Sequence, residues 1–216
     1  MARTVFIPVR AEANVDLVVE NILEKVTAKR IGLVTTAQYV HVLADMKRGL
    51  EGGGKKVSIQ PGRPNPGQIL GCDARAGMGD VDCFVYVGSG RFHPLAVAYK
   101  TEKPVYIAHP SGGLEQISGE EVFKYQKRKY ARISKFKDAR KIGIIVSTKP
   151  GQQKLKHAVE LRDRLKGEGK ETFIFVANEI KPENLVGFEV DVWVSTACPR
   201  IVDDHFEKPI VDISDI

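Results

Sequence analysis

Cysteine, aromatic side chains and long apolar runs are all scarce in this 216-residue chain. Its three cysteines, Cys72, Cys83 and Cys198, form no CxxC pair. That excludes a disulfide-stapled scaffold and points to thiols that are reduced, buried or metal-bound. Aromatics make up 7% of the residues, with a single Trp, and neither base-stacking runs nor known nucleic-acid motifs occur. DNA or RNA is therefore not expected as the main ligand. No apolar stretch reaches the roughly 18–20 residues that span a bilayer. The opening Met-Ala-Arg-Thr-Val-Phe-Ile-Pro-Val offers too short an apolar run before Pro8 and Arg10 for a signal peptide. The reading is cytoplasmic, without a membrane.

With 43% hydrophobic residues the chain can bury one large or two smaller cores. The net charge of +6 is concentrated: Lys124 to Lys141 holds nine Lys or Arg against one acid, Asp138, and the remainder is nearly balanced. This stretch reads as a helix over 120–138, anchored by Phe123, Tyr130 and Ile133. It serves either as a solvated connector or as a docking surface for an acidic macromolecule.

Period and turn signals predict strands at 4–9, 31–36, 55–60, 82–87 and 104–108, the last closing the first half. Helices are expected at 15–29, with Leu17, Val18, Ile22 and Val26 as its apolar stripe, and at 38–51. The second half repeats the theme with strands at 142–147, 172–177, 190–195 and 209–213, a helix at 152–166 and a short one near 182–186. The halves also match in sequence. Lys29–Thr36 resembles Arg140–Ser147, Val81–Val87 resembles Val190–Ser195, and Lys103–Ile107 resembles Lys208–Val211, with offsets falling from 111 to 109 to 105. The fold class is thus α/β: two related open parallel-sheet domains, residues 1–118 and 140–216, joined by a basic helical connector at 119–139 and facing a shared cleft.

Open parallel sheets bind ligands beyond the carboxyl ends of their strands. The unusual loops there are Gly88–Leu95, Ser147–Gln152 and Ser195–Arg200, joined by Gln68–Asp73 before a central strand. Cys198 follows a strand directly, and Gly71 lets the backbone beside Cys72 turn sharply. The two thiols either share a soft-metal site or are buried and inert. Cys83, inside an apolar strand, reads as a core residue. Ser147-Thr148-Lys149-Pro150-Gly151-Gln152 opens a helix and presents N–H groups to an anion, or is a plain turn capped by Ser147 or Thr148. It lacks the Gly-Lys-Ser/Thr ending of a Walker loop. Arg200 either clamps a carboxylate or makes a surface ion pair. His93 is a ligand contact or a cap.

Together, Pro66–Asp73, Gly88–Leu95, Val146–Gln152 and Ser195–Ile201 resemble the diphthamide-biosynthesis synthase family, over nearly the whole chain and closest to its archaeal, homodimeric member. The resemblance implies three related α/β domains around a 4Fe-4S cluster, each giving one cysteine. Cys72 and Cys198 match the ligands of the second and third domains. The pattern's first domain and its cysteine have no counterpart here, as in a fragment or a natural short paralogue. A partner chain, a second copy or Asp73 would then supply the missing ligand. S-adenosylmethionine would bind the open iron, with Gln152 and Arg200 on its methionine portion and Ser147, Thr148 and His93 beside it. The implied enzyme is a transferase that moves a 3-amino-3-carboxypropyl group to a histidine of translation elongation factor 2, by one-electron cleavage of the sulfonium, leaving 5′-methylthioadenosine. Two other readings are a noncatalytic scaffold or partner subunit, and a small-ligand α/β module with inert cysteines.

Overall fold

The computed structural model describes residues 5, 7, 9–71 and 73–216. They form two compact units, Met1–Lys124 and Tyr125–Ile216. The first holds helix α1 (Val15–Lys25), strand β1 (Arg30–Thr35), α2 (Leu43–Gly52), β2 (Lys56–Ser58), β3 (Cys83–Val87), α3 (Phe92–Thr101), β4 (Val105–Ala108) and β5 (Leu114–Gln116). Helix α4 (Gly119–Asp138) crosses the boundary, and the second unit continues with β6 (Lys141–Ser147), α5 (Leu155–Gly167), β7 (Glu171–Ala177), β8 (Val192–Ser195) and β9 (Ile210–Asp212). Of the strand expected at 4–9, Thr4, Phe6 and Pro8 lie outside the described residues; Val5, Ile7 and Val9 are exposed and in no strand.

The strand order is β2-β1-β3-β4-β5 in one sheet and β7-β6-β8-β9 in the other. All pairings are parallel except β4 with β5. The α/β parallel-sheet fold expected from the repeat is thus present in each unit. The ladders reproduce its offsets. Ile31 pairs with Cys83 as Ile142 pairs with Val192, and Phe84 pairs with Val105 as Trp193 pairs with Ile210.

Side-chain detail repeats too. A Cβ on Gly32 would lie 2.5 Å from the Phe84 ring, and one on Gly143 would lie 2.2 Å from Trp193. In each unit the central strand gives up a side chain so that its neighbour's aromatic lies flat across it. Asp82 accepts the Arg30 N–H at 2.9 Å, and Asp191 accepts those of Arg140 and Lys141 at 2.8 Å. Lys55 donates to the carbonyls of Val26 and Ala28, and Lys170 to those of Lys137 and Ala139, closing the same corner before the first central strand.

Successive residues of a buried strand face opposite layers. In the first unit Ile31, Leu33, Cys83 and Val85 pack under α1 and α2, while Val34, Phe84, Tyr86 and Ile107 pack under α3. In the second, Ile142, Ile144, Val192 and Val194 pack against α4 and α5. The opposite layer, built on Ile145 and Trp193, is closed by Phe175, Leu185, Ile201 and Phe206, from β7 and irregular segments.

Several local expectations are corrected. Helix α1 stops at Lys25, and its buried residues include Val19 in place of Leu17, which is exposed. The 38–51 segment is a 3-10 turn over Ala37–Val42 followed by α2. The first half does not end at β4, because β5 adds an antiparallel edge. On α4, Phe123 and Tyr130 are exposed; Phe136 is the buried anchor, with Val122 partly buried.

Among the described residues, Thr172 Oγ1 is buried without a hydrogen-bond partner. An unmet hydroxyl costs about 1–3 kcal/mol, and an isosteric apolar group removes that cost. Thr172→Val is therefore expected to raise the urea unfolding free energy by about 1 kcal/mol. An unchanged or lower midpoint would contradict the assignment.

Candidate functional site

In each unit the strand order reverses between two central strands, β1 and β3 or β6 and β8. Their carboxyl ends are where open α/β sheets place ligands. In the second unit this edge carries five of the sequence candidates.

β6 ends at Ser147, whose buried hydroxyl accepts the Lys149 N–H at 3.1 Å. β8 ends at Ser195, whose hydroxyl accepts the Ala197 N–H at 3.3 Å. These matched turns aim both loops off the same edge. Thr148 donates its N–H to the Ala177 carbonyl at 3.0 Å and its hydroxyl to Asn178 at 3.3 Å, tying the loop to β7. Lys149-Pro150-Gly151-Gln152 is a β-turn closed from Gln152 N–H to the Lys149 carbonyl at 3.0 Å, with Gly151 at φ +78°. Proline followed by a left-handed glycine is the type II signature. The turn does not open a helix: α5 begins at Leu155, and Lys154 at its cap makes no side-chain bond. The N–H groups of Lys149 and Gln152 are spent within this loop and that of Thr148 on β7, and Ser147 caps the turn rather than a helix.

Cys198 follows β8 at the head of a 3-10 turn, Pro199–Asp203, and its carbonyl accepts the Ile201 N–H at 3.0 Å. Its thiol is half-exposed and forms no disulfide. Arg200 lies on the same turn, exposed, with Nη1 3.0 Å from Asp204 Oδ1. The β6 and β8 loops are neighbours because Ile145 pairs with Ser195. Ser147, Thr148, Gln152, Cys198 and Arg200 therefore share one edge.

In the first unit Cys72 lies outside the described residues; its neighbours in sequence are described. Ile69 donates its N–H to the Thr35 carbonyl and Thr35 donates to that of Gly67, fastening this segment to the end of β1. Leu70 and Asp73 exchange backbone bonds at 2.8 and 3.1 Å as an antiparallel bridge. Asp73, suggested by the sequence as a substitute ligand, is held by Arg75 through both carboxylate oxygens, which keeps its pKa below the ordinary range. Gly71 does not occupy the left-handed region; its missing side chain makes room for Phe92. Cys83 is 1% exposed, and burial pushes its thiol up to about 11, as expected of a core residue and unsuited to a thiolate ligand.

His93 is neither a cap nor exposed. It is the second residue of α3, half-buried, stacked on Tyr86 at 6.2 Å and edge-on to Phe92 at 5.1 Å. Burial lowers its pKa below the ordinary 6.5. The unfolded chain then binds the extra proton, so this contribution is complete above about pH 6.5 and is lost as pH falls through the folded value. His93→Phe is expected to lose less stability than the native chain between about pH 7.5 and about pH 5, followed by urea midpoints. Parallel losses would contradict this.

The cysteines do not obey the repeat. The ladders make Ser89, after β3, the counterpart of Cys198, while Cys72 comes from the crossover between β2 and β3. Among the described residues no three His, Cys, Asp or Glu side chains gather as a metal site. The donor chemistry nevertheless fits an iron-sulfur ligand at Cys198, a half-exposed loop thiol with no disulfide.

A family profile described as "Putative diphthamide synthesis protein" matches residues 1–215. The chain belongs to this family. It is 36% identical over 216 residues to the 2-(3-amino-3-carboxypropyl)histidine synthase of Pyrococcus horikoshii, covering 96% of this chain and 63% of that protein. The synthase of the same name from Methanocaldococcus jannaschii is 34% identical, covering 89% of this chain and 53% of the relative. The human subunit 1 of that synthase is 32% identical over 193 residues, covering 85% and 43%. The crystal structure of Dph2 from Pyrococcus horikoshii with a 4Fe-4S cluster superposes with a TM-score of 0.84 at 34% identity, over 96% of this chain and 63% of that one. This chain thus spans less than two-thirds of the length of these relatives. Among its described residues no helix is long and apolar enough to cross a membrane.

Proposed function

We propose that this member of the diphthamide family transfers a 3-amino-3-carboxypropyl group from S-adenosylmethionine to a histidine of translation elongation factor 2, with Cys72 and Cys198 as ligands of a 4Fe-4S cluster. The observation that carries the reading is the β6–β8 edge, where a half-exposed thiol and an arginine share one turn beside a polar loop, in a chain whose relatives bear the synthase name. A bound cluster would supply the single electron that breaks the sulfonium bond to the methionine γ-carbon.

The chain's own residues bind and orient. Arg200 donates from Nη1 to Asp204, and the planar guanidinium is of the kind that suits the carboxylate of the methionine portion. Gln152, at the end of the type II turn, offers an amide oxygen to the ammonium and an NH2 to the carboxylate. Ser147 and Thr148 hold that turn against β6 and β7. His93, whose charged form is disfavoured by burial, packs on Tyr86 and Phe92; its proposed role is to shield the cofactor from water. The setting proposed is cytoplasmic, with a second copy or a partner chain giving a further iron ligand.

The test is transfer of label from carboxyl-labelled S-adenosylmethionine to elongation factor 2 by the anaerobically reconstituted chain. Label on the factor, abolished by replacing the target histidine, is expected. Label found only in free small molecules would contradict it. One observation favours a second reading: Cys83 is buried, which leaves at most two of the three cysteines for ligation. A partner subunit in a mixed complex would then carry iron only when copurified with a longer homologue.

A further inference from the structure

We propose that β7 is a pairing edge for a second copy of this chain, the two β7 strands joining antiparallel about a two-fold axis at Ile174 to make one continuous sheet. The inference is independent of the iron reading.

Open sheet edges invite pairing with other chains, and proteins limit this with short edge strands, charge or proline. The two sheets have four edge strands. Three of them, β2, β5 and β9, are three residues long. The fourth, β7, runs for seven residues, Glu171-Thr172-Phe173-Ile174-Phe175-Val176-Ala177, with one charge at its first position and no proline. Phe173 is 43% exposed and Val176 56%. None of the usual protections is present along its centre.

The backbone of this edge is available as well. Glu171 donates its N–H to the Arg140 carbonyl, and the Ala177 carbonyl accepts the Thr148 N–H. Peptide groups alternate in direction along a strand, so residues 171, 173, 175 and 177 bond to β6. The N–H and C=O groups of Thr172, Ile174 and Val176 point the other way. Among the described residues no ladder or loop bond reaches them. Such a row is what strand addition uses.

The pattern of the strand selects its occupant. Antiparallel pairing sets outward residues against outward residues. An axis at Ile174 places that residue against its own copy and Thr172 against Val176 of the partner subunit, so all three outward residues of each strand are bonded. Phe173 then faces Phe175 of the partner subunit, and Glu171 faces Ala177 of the partner subunit. No like charges are opposed, and the aromatic pair lies on the side of the sheet built on Trp193. That side carries no helix in this unit; Val186 and Phe188 stand exposed there, with Phe188 4.6 Å from Phe175. Pairing therefore gains an apolar flank besides the backbone ladder. A contact that repeats across a two-fold axis closes at two copies.

The native chain, Phe173→Lys and Val176→Pro would be followed by sedimentation velocity over a micromolar dilution series. Circular dichroism would confirm folding, and amide hydrogen exchange would be read residue by residue. The native chain is expected to sediment as a concentration-dependent dimer. In that dimer the amides of Thr172, Ile174 and Val176 should be protected and should open on dilution. Those of Phe173 and Phe175, bonded to β6, should stay protected throughout. Val176→Pro removes one outward donor per strand and leaves the β6 ladder intact, a change that edge strands accept. It is expected to weaken the dimer roughly 10–100-fold. Phe173→Lys puts a charge on the shared apolar face and should leave the chain monomeric in the same range. Should Val176→Pro fail to fold, Phe173→Lys, at an exposed position, decides with the exchange pattern. A native chain monomeric across the series would overturn the proposal. So would a dimer whose three outward amides exchange as freely as in the monomer, or folded variants that dimerise as the native chain does.

Discussion

Cys198→Ala and Cys72→Ala are each expected to remove nearly all bound iron and all product formation, while Cys83→Ala leaves iron content unchanged. The asymmetry follows from placement. Cys198 is half-exposed in a loop at the carboxyl end of β8, where a thiolate is available to a metal. Cys83, on β3 beside β1, is sealed under the α1–α2 layer, and burial pushes its thiol up to about 11. Under the proposed ligation, removing either thiolate leaves an iron without its protein ligand and should make the cluster labile. Iron and sulfide analysis after reconstitution, with circular dichroism to confirm folding, reads this directly. Iron lost equally in all three variants would point to a general effect of cysteine removal and would contradict the assignment.

Trp193→Ala is expected to cost about 3–5 kcal/mol of stability, the range for deleting a large buried aromatic. Trp193 is 1% exposed, lies across Gly143 and meets Phe175 and Phe188 edge-on at 4.8 and 5.9 Å. The reciprocal change, Gly143→Ala, would drive a methyl to 2.2 Å from the indole and should cost about 1–3 kcal/mol or more by overpacking. The pair shares one space, so the two effects should not add. Additive losses in denaturant titrations would contradict the packing described, as would a neutral Gly143→Ala.

Much of the fold was legible because the repeat is written in backbone-facing positions. A glycine in one central strand and an aromatic in the next recur in both halves, and the ladder registers reproduce the sequence offsets. What was not legible depended on contacts between distant segments. β5 is three residues with no alternating pattern, and it forms only because β4 offers an open edge. Phe123 and Tyr130 have helical spacing but are both exposed, and the burial on α4 falls to Phe136. Gly71 read as a turn residue because glycine usually is one; its neighbour in space, Phe92, is 21 positions away. At the site, the Lys149–Gln152 turn was visible as Pro-Gly, but its separation from α5 was not. The departure of Cys72 and Cys198 from the repeat could have been found by aligning the halves: Ser89 stands where Cys198 would fall.

The most direct test is the nucleoside that the iron-loaded chain releases from S-adenosylmethionine under a strong one-electron reductant. The account predicts 5′-methylthioadenosine, dependent on Cys72, Cys198 and reductant and independent of Cys83. A chain with a full complement of iron that released 5′-deoxyadenosine, or no nucleoside at all, would contradict it.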